Sequence, residues 1–142
     1  MNRIAIIYWS GTGNTEIMAK AVLDGAKAAG AEADLFTVSE ITTAKALDYD
    51  VLALGCPAMG GEVLEEVEFE PWFTELEASL GGKKCALFGS YGWGDGQWMR
   101  DWFDRSKAAG AVLFSEGLIL NETPDANGVA DCETLGKALT TF

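Results

Sequence analysis

Short, continuously apolar runs alternate with stretches of helical period along this chain. Ile4–Tyr8, Val51–Cys56 and Cys85–Phe88 are apolar at nearly every position. That is the pattern of strands buried on both faces. Between them Ile17, Met18, Ala21, Val22 and Ala26 recur at helical spacing. So do Phe69, Phe73, Leu76 and Leu80, and then Trp98, Met99, Trp102 and Phe103. Gly30, Gly81-Gly82 and Gly110 supply helix stops. A more polar run from Glu32 to Val38 predicts an edge strand, and Ser39 to Asp48 a short helical turn. Ala111–Phe114 begins a last strand that resumes through Leu118–Leu120. A loop with Thr123, Pro124 and Asp125 then leads to a helix bearing Cys132, Leu135, Gly136 and Leu139. Strictly alternating βα units predict an α/β doubly wound sandwich, a five-stranded parallel sheet with helices on both faces. Right-handed crossovers restrict the strand order, and 2-1-3-4-5 is the expectation. The absence of a repeat, linker or low-complexity tract predicts a single domain over residues 1–142.

Three unusual loops follow strand ends in this pattern. The first is Ser10-Gly11-Thr12-Gly13-Asn14-Thr15, between a buried strand and a helix start. Its glycines let the chain turn sharply, and its hydroxyls, the Asn14 amide and the N–H groups of the first helical turn face one point. With the positive end of the helix dipole, these suit a phosphate. The loop lacks the lysine of a Walker A motif and the glycine spacing of a dinucleotide fingerprint. So neutral a set of donors suits one terminal phosphate monoester. The second loop is Pro57-Ala58-Met59-Gly60-Gly61-Glu62, and the third is Ser90-Tyr91-Gly92-Trp93-Gly94-Asp95-Gly96. Ligands of open parallel sheets bind outside the carboxyl ends of the strands, at the switch point, where these loops converge in a 2-1-3-4-5 order. Met59, Tyr91 and Trp93 among glycines suit a flat aromatic ring, and Glu62 suits an N–H on its edge. A phosphate at one end and a hydrogen-bonding ring at the other point to FMN.

Composition narrows the function. The chain carries 22 acidic and 10 basic side chains, a formal net charge of -12. That balance disfavours nucleic acid and anionic membranes as partners. It suits either docking onto basic protein surfaces or simple solubility. Met1-Asn2-Arg3 runs straight into a short apolar run, and no stretch is long enough to span a bilayer. A cytoplasmic protein is the expectation. Cys56, Cys85 and Cys132 have no metal-binding spacing, and two fall in buried strands, so they read as reduced core thiols. With histidine absent, the commonest general base and metal ligand is missing, and no metal site is expected.

The three loops together resemble the flavodoxins of the short-chain type found in anaerobic bacteria. Tyr8-Trp9-Ser10-Gly11-Thr12-Gly13-Asn14-Thr15-Glu16 is similar to that family's phosphate loop. Ala58-Met59-Gly60 with Glu62, and Ser90–Gly96 with Trp98, are similar to its two flavin loops. The resemblance covers essentially the whole chain and implies a flavodoxin-like fold holding non-covalent FMN. It implies that Ser10, Thr12, Asn14 and Thr15 hold the phosphate, with amides of Gly11 and Gly13. Met59 would cover one face of the isoalloxazine and Trp93 the other, with Glu62 accepting from the ring N3–H. Backbone groups of Gly92 and of the residues beside Trp93, Gly94 among them, would meet the pyrimidine edge, in the loop that also carries Tyr91. Ser90, Pro57, Ala58, Gly61 and Asp95 complete the predicted lining. The Gly60-Gly61 peptide would turn over on one-electron reduction. Two positions depart from the pattern. Pro57 stands where relatives often place a small hydroxyl residue, and Gly61 where they often place Asp.

The implied function is a low-potential one-electron carrier, not an enzyme, that cycles mainly between neutral semiquinone and hydroquinone. Reduced flavin tends toward an anion, and the three loops offer no Lys or Arg to offset it. Glu65, Glu66, Glu68 and Glu70 follow the second loop. They read either as an acidic rim for basic redox partners or as a solvated helix start. A monomer is the family expectation. The alternatives are an FMN-dependent NAD(P)H reductase and a flavodoxin-like activator of ribonucleotide reductase.

Overall fold

A computed structural model describes residues 1–142, the whole chain. Its strands are β1 (Ile4–Tyr8), β2 (Ala33–Thr37), β3 (Val51–Gly55), β4 (Lys84–Tyr91), β5 (Val112–Leu113) and β6 (Leu118–Asn121). Its helices are α1 (Asn14–Ala28), α2 (Thr43–Ala46), α3 (Phe69–Glu77), α4 (Gln97–Ala108) and α5 (Ala126–Leu139). All strand pairs are parallel, in the order β2-β1-β3-β4-β5, with β6 also on β4. The expected order holds, and the expected fifth strand is split in two. Between its halves Ser115 and Gly117 adopt left-handed φ of 63° and 101°. Gly117 lies so close to Met99 of α4 that a Cβ there would sit 2.6 Å from its sulfur. The strand therefore breaks where α4 presses against it.

Alternation of side chains sends each central strand into two cores. Ile4, Ile6, Val51, Ala53, Ala86 and Phe88 join the core beneath α1 and α5, with Met18, Val22 and Leu139. Ala5, Ile7, Leu52, Leu54, Cys85 and Leu87 join the core beneath α3 and α4, with Phe73, Trp98 and Trp102. Both cores being apolar explains why these strands read as unbroken apolar runs. The edge strand β2 pairs only with β1, as its polar content predicts. Within the second core, Trp102 meets Phe69 and Phe73 edge-on, with ring centroids 5.4 and 5.9 Å apart.

Register decides where the loops begin. Tyr8 of β1 pairs with Gly55 of β3, and Gly55 with Phe88 of β4. The first two loops therefore leave the sheet at one level. Gly55 makes this possible, because a Cβ there would strike the Phe88 ring at 2.2 Å. β4 runs on to Tyr91 and carries the third loop higher, beside β6.

Candidate functional site

The first loop is built to present protons. Ser10 Oγ accepts from the Gly13 N–H at 3.1 Å and the Glu16 N–H at 3.3 Å, and Thr12 Oγ1 accepts from the Asn14 N–H at 3.4 Å. Each hydroxyl spends its lone pairs locally and keeps its own proton for an outside acceptor. The N–H groups of Gly11, Thr12 and Thr15 have no partner within the protein, and they stand at the positive end of α1. Gly13 corrects the expected amide pair. Its N–H is taken by Ser10, and its part is the left-handed turn at φ 96° that starts α1. Thr15 is only 1% exposed, with its hydroxyl 3.0 Å from Ser90 Oγ and accepting from the Ser90 N–H at 3.3 Å. It ties loop one to β4 and leaves its backbone N–H without a partner.

A cleft of about 190 Å³ opens between the loops. Gly11, Thr12 and Asn14 form one wall, Pro57, Ala58 and Met59 a second, and Ser90, Tyr91 and Gly92 a third. Gly60–Glu62 and Trp93–Asp95 extend beyond those walls and meet each other. A Cβ on Gly94, at φ 85°, would lie 2.3 Å from Glu62 Oε1. Glu62 itself sits at a left-handed φ of 52°, and its Oε1 is buried without a donor. A sealed carboxylate oxygen lacking an N–H is costly unless something supplies one. Trp93 is 64% exposed. Asp95 turns away from the cleft into an exposed ion pair with Arg100 at 2.9 Å. A larger space of about 460 Å³ lies on the β2 side of loop one, divided from the cleft by Trp9. Ser10 and Gly13 line this space rather than the cleft, together with Tyr8, Val38 and the carboxylates of Glu16 and Glu68.

Trp9, which the sequence placed in the first loop's motif without a part in the lining, and Glu122, which it missed, line the cleft too. The Trp9 indole lies over Gly11, where a Cβ would come within 2.9 Å of the ring, and its N–H donates to Glu68 at 3.2 Å. Glu122 follows β6 at a left-handed φ of 57° and donates its N–H to the Tyr91 carbonyl at 2.7 Å. The signal for Glu122 was present. Asn121–Asp125 is another polar loop at a strand's carboxyl end, the same rule that selected the other three.

The comparisons agree with this geometry. The flavodoxin family model matches residues 6–136. A flavodoxin of Clostridium beijerinckii is 48% identical over 94% of this chain and 96% of its own. One of Megasphaera elsdenii is 45% identical over 95% and 96%. The solution structure of two-electron reduced Megasphaera elsdenii flavodoxin superposes with a TM-score of 0.89, covering 98% of this chain and 99% of that one. The chain belongs to the flavodoxin family. It is an FMN-binding electron carrier. The residues present fit that cofactor. Unpaired N–H groups and free hydroxyl protons at one end would suit a phosphate, and the donorless Glu62 Oε1 at the other could accept from a ring N–H.

This flavodoxin's acidic stretch is only partly a rim. Glu65 is 5% exposed and turned inward, accepting from the N–H groups of Val67, Glu68 and Phe69 at 2.7–2.8 Å. It caps the approach to α3, so its expected docking role is withdrawn. Burial pushes the Glu65 carboxyl up, but those three N–H bonds outweigh it and hold the group below the usual carboxylate range. Glu70 is likewise committed. Arg105 grips it through two bonds of 2.7 Å, reaches Glu77 at 2.8 Å and lies 4.8 Å over the Phe73 ring. The Arg105 guanidinium holds Glu70 below its ordinary value. Glu66 and Glu68 remain exposed beside Val67. The cysteines are buried and unpaired. Burial pushes each thiol up to about 12, which leaves no thiolate for chemistry at neutral pH.

The capping role of Glu65 carries a stability prediction. A carboxyl whose folded pKa is depressed contributes stability above its unfolded pKa and loses it as pH falls through the folded value. Glu65→Gln should therefore cost about 2 kcal/mol at pH 7, the upper range for losing a helix cap. The deficit should shrink toward pH 3. Urea midpoints of the two proteins at both pH values test this, and an equal gap at both would show that the charge is immaterial.

Proposed function

We propose that this flavodoxin is a low-potential one-electron carrier, its FMN working mainly between the neutral semiquinone and the hydroquinone. FMN supplies the redox chemistry, and the protein sets its cost. The observation that carries this reading is the charge around the cleft. No Lys or Arg lines it, whereas Glu122 lies on its wall and Glu62 beside its mouth. Negative charge added there meets carboxylates and a phosphate, which disfavours the second reduction. For one electron, about 1.4 kcal/mol of such penalty corresponds to about 59 mV.

The second loop supports the one-electron character. The Glu62 N–H donates to the Met59 carbonyl at 2.9 Å, closing a turn whose central peptide joins Gly60 to Gly61. Gly61 holds φ 80°, as the second central residue of a type II turn requires. A Cβ on either glycine would meet nothing within 4 Å, so the peptide has room to turn over. Its Gly60 carbonyl is the group we assign to the proton at flavin N5. We assign Met59 and Trp93 to the two ring faces, and Glu62 to N3–H. Glu66 and Glu68, flanking the 81% exposed Val67, form the face we assign to basic redox partners. No helix is long and apolar enough to cross a membrane; we assign a cytoplasmic carrier working as a monomer.

Stepwise anaerobic reduction with dithionite, followed by visible spectroscopy, tests this reading. One stoichiometric FMN passing through a long-wavelength neutral radical before bleaching is expected. Direct bleaching would favour a hydride-transferring reductase instead.

A further inference from the structure

We propose that Thr123 is a positioning residue for the cofactor phosphate, acting through Asn14 and so favouring FMN over flavins without a phosphate. The proposal rests on FMN occupying the cleft described above. Thr123 Oγ1 donates to Asn14 Oδ1 at 3.0 Å, across 109 residues of sequence. Asn14 begins α1 and lines the cleft. Its backbone N–H is already given to Thr12 Oγ1, so its side-chain amide is what it has left for a ligand. An asparagine amide can show a ligand either its carbonyl oxygen or its two N–H donors, by a half-turn about its last bond. Toward a phosphate dianion, the first orientation repels and the second attracts. In the observed arrangement Thr123 gives its proton to Oδ1, which leaves Nδ2 free for the ligand.

The loop bearing Thr123 is held well enough to do this. The Asn121 side-chain amide and the Glu122 N–H both donate to the Tyr91 carbonyl, at 3.3 and 2.7 Å. Pro124 restricts the next φ. Asp125 accepts from the Gly128 N–H at 2.8 Å and caps α5. Glu122 meanwhile accepts an unfavourable φ of 57° in a non-glycine residue. Such strain gathers where surrounding structure imposes a functional geometry. Thr123 is therefore presented from a braced loop, and little ordering is left to be lost on binding.

Titrating apoprotein with FMN and, separately, with riboflavin tests the proposal in the wild type, Thr123→Val and Thr123→Ser. Valine keeps the shape and removes the hydroxyl. FMN should bind Thr123→Val about tenfold more weakly, the upper range for losing one neutral hydrogen bond. Riboflavin affinity should be unchanged, and Thr123→Ser should restore FMN binding. The phosphorus-31 resonance of bound FMN should move in the valine variant alone. Equal losses for both flavins would mark a merely structural loop residue and overturn the proposal. So would undiminished FMN affinity in Thr123→Val. A wild-type protein that takes neither flavin would bring down the FMN reading itself, and this inference with it.

Discussion

Gly136→Ala should destabilise the protein by about 3 kcal/mol, the upper range for overpacking a close contact. A Cβ at Gly136 would lie 2.0 Å from the Val22 carbonyl oxygen and 2.9 Å from the Ala26 nitrogen. The reverse contact is as tight, since a Cβ at Gly25 would lie 1.9 Å from the Glu133 carbonyl oxygen. Both obstacles are helix backbone, which cannot swing aside as a side chain can. Helices α1 and α5 therefore touch main chain to main chain, and one methyl group must part them. Parting them lifts α1 from β1, β2 and β4 and loosens the core that holds Met18, Val22 and Ala26. Because α1 begins at the phosphate loop, FMN affinity should fall as well. Urea midpoints measure the first effect, and a shift below about 0.5 kcal/mol, ordinary for surface changes, would refute this account of the contact.

The double variant Ser10→Ala, Thr12→Val should bind FMN about 100- to 20,000-fold more weakly. Each hydroxyl accepts from local N–H groups and has its proton free for the phosphate. A hydrogen bond to a charged group contributes about 1.5–3 kcal/mol, and two are removed. Ser10 also takes the Glu16 N–H in the first turn of α1. Its loss should therefore cost the apoprotein about 1 kcal/mol, as for other residues that satisfy a helix start. Riboflavin binding separates the two effects, since it needs no phosphate contact and should change little. An FMN loss under tenfold would show that the backbone N–H groups hold the phosphate largely by themselves.

The loop motifs were legible in the sequence because each stands beside a buried strand whose apolar run is unmistakable. Ile4–Tyr8 leads to Ser10–Thr15, and Val51–Cys56 leads to Pro57–Glu62. Details within the loops were not legible to the same depth. Gly13 was expected to lend its amide to the ligand, yet Ser10 takes it. Glu65 and Glu70 were grouped with Glu66 and Glu68 because all four are adjacent acids. A residue's neighbours in sequence do not tell which way its side chain turns. Three N–H groups ahead of α3 draw Glu65 inward, and Arg105, 35 residues away, draws Glu70.

Hydrophobic period by itself determined the alternating strands and helices. A strand buried on two faces and a helix buried on one leave different spacings in any chain that folds by excluding water. The glycine and hydroxyl pattern likewise determined that a sharp, donor-rich turn follows β1, since few other residues allow that backbone or supply those donors. Only the tertiary structure decided which protons remain free, which carboxylates face solvent, and that Thr123 meets Asn14. Those outcomes depend on contacts such as Thr123 to Asn14 and Thr15 to Ser90, which span 109 and 75 residues. Such pairs meet only after parallel strands have stacked in register, and no local spacing records them.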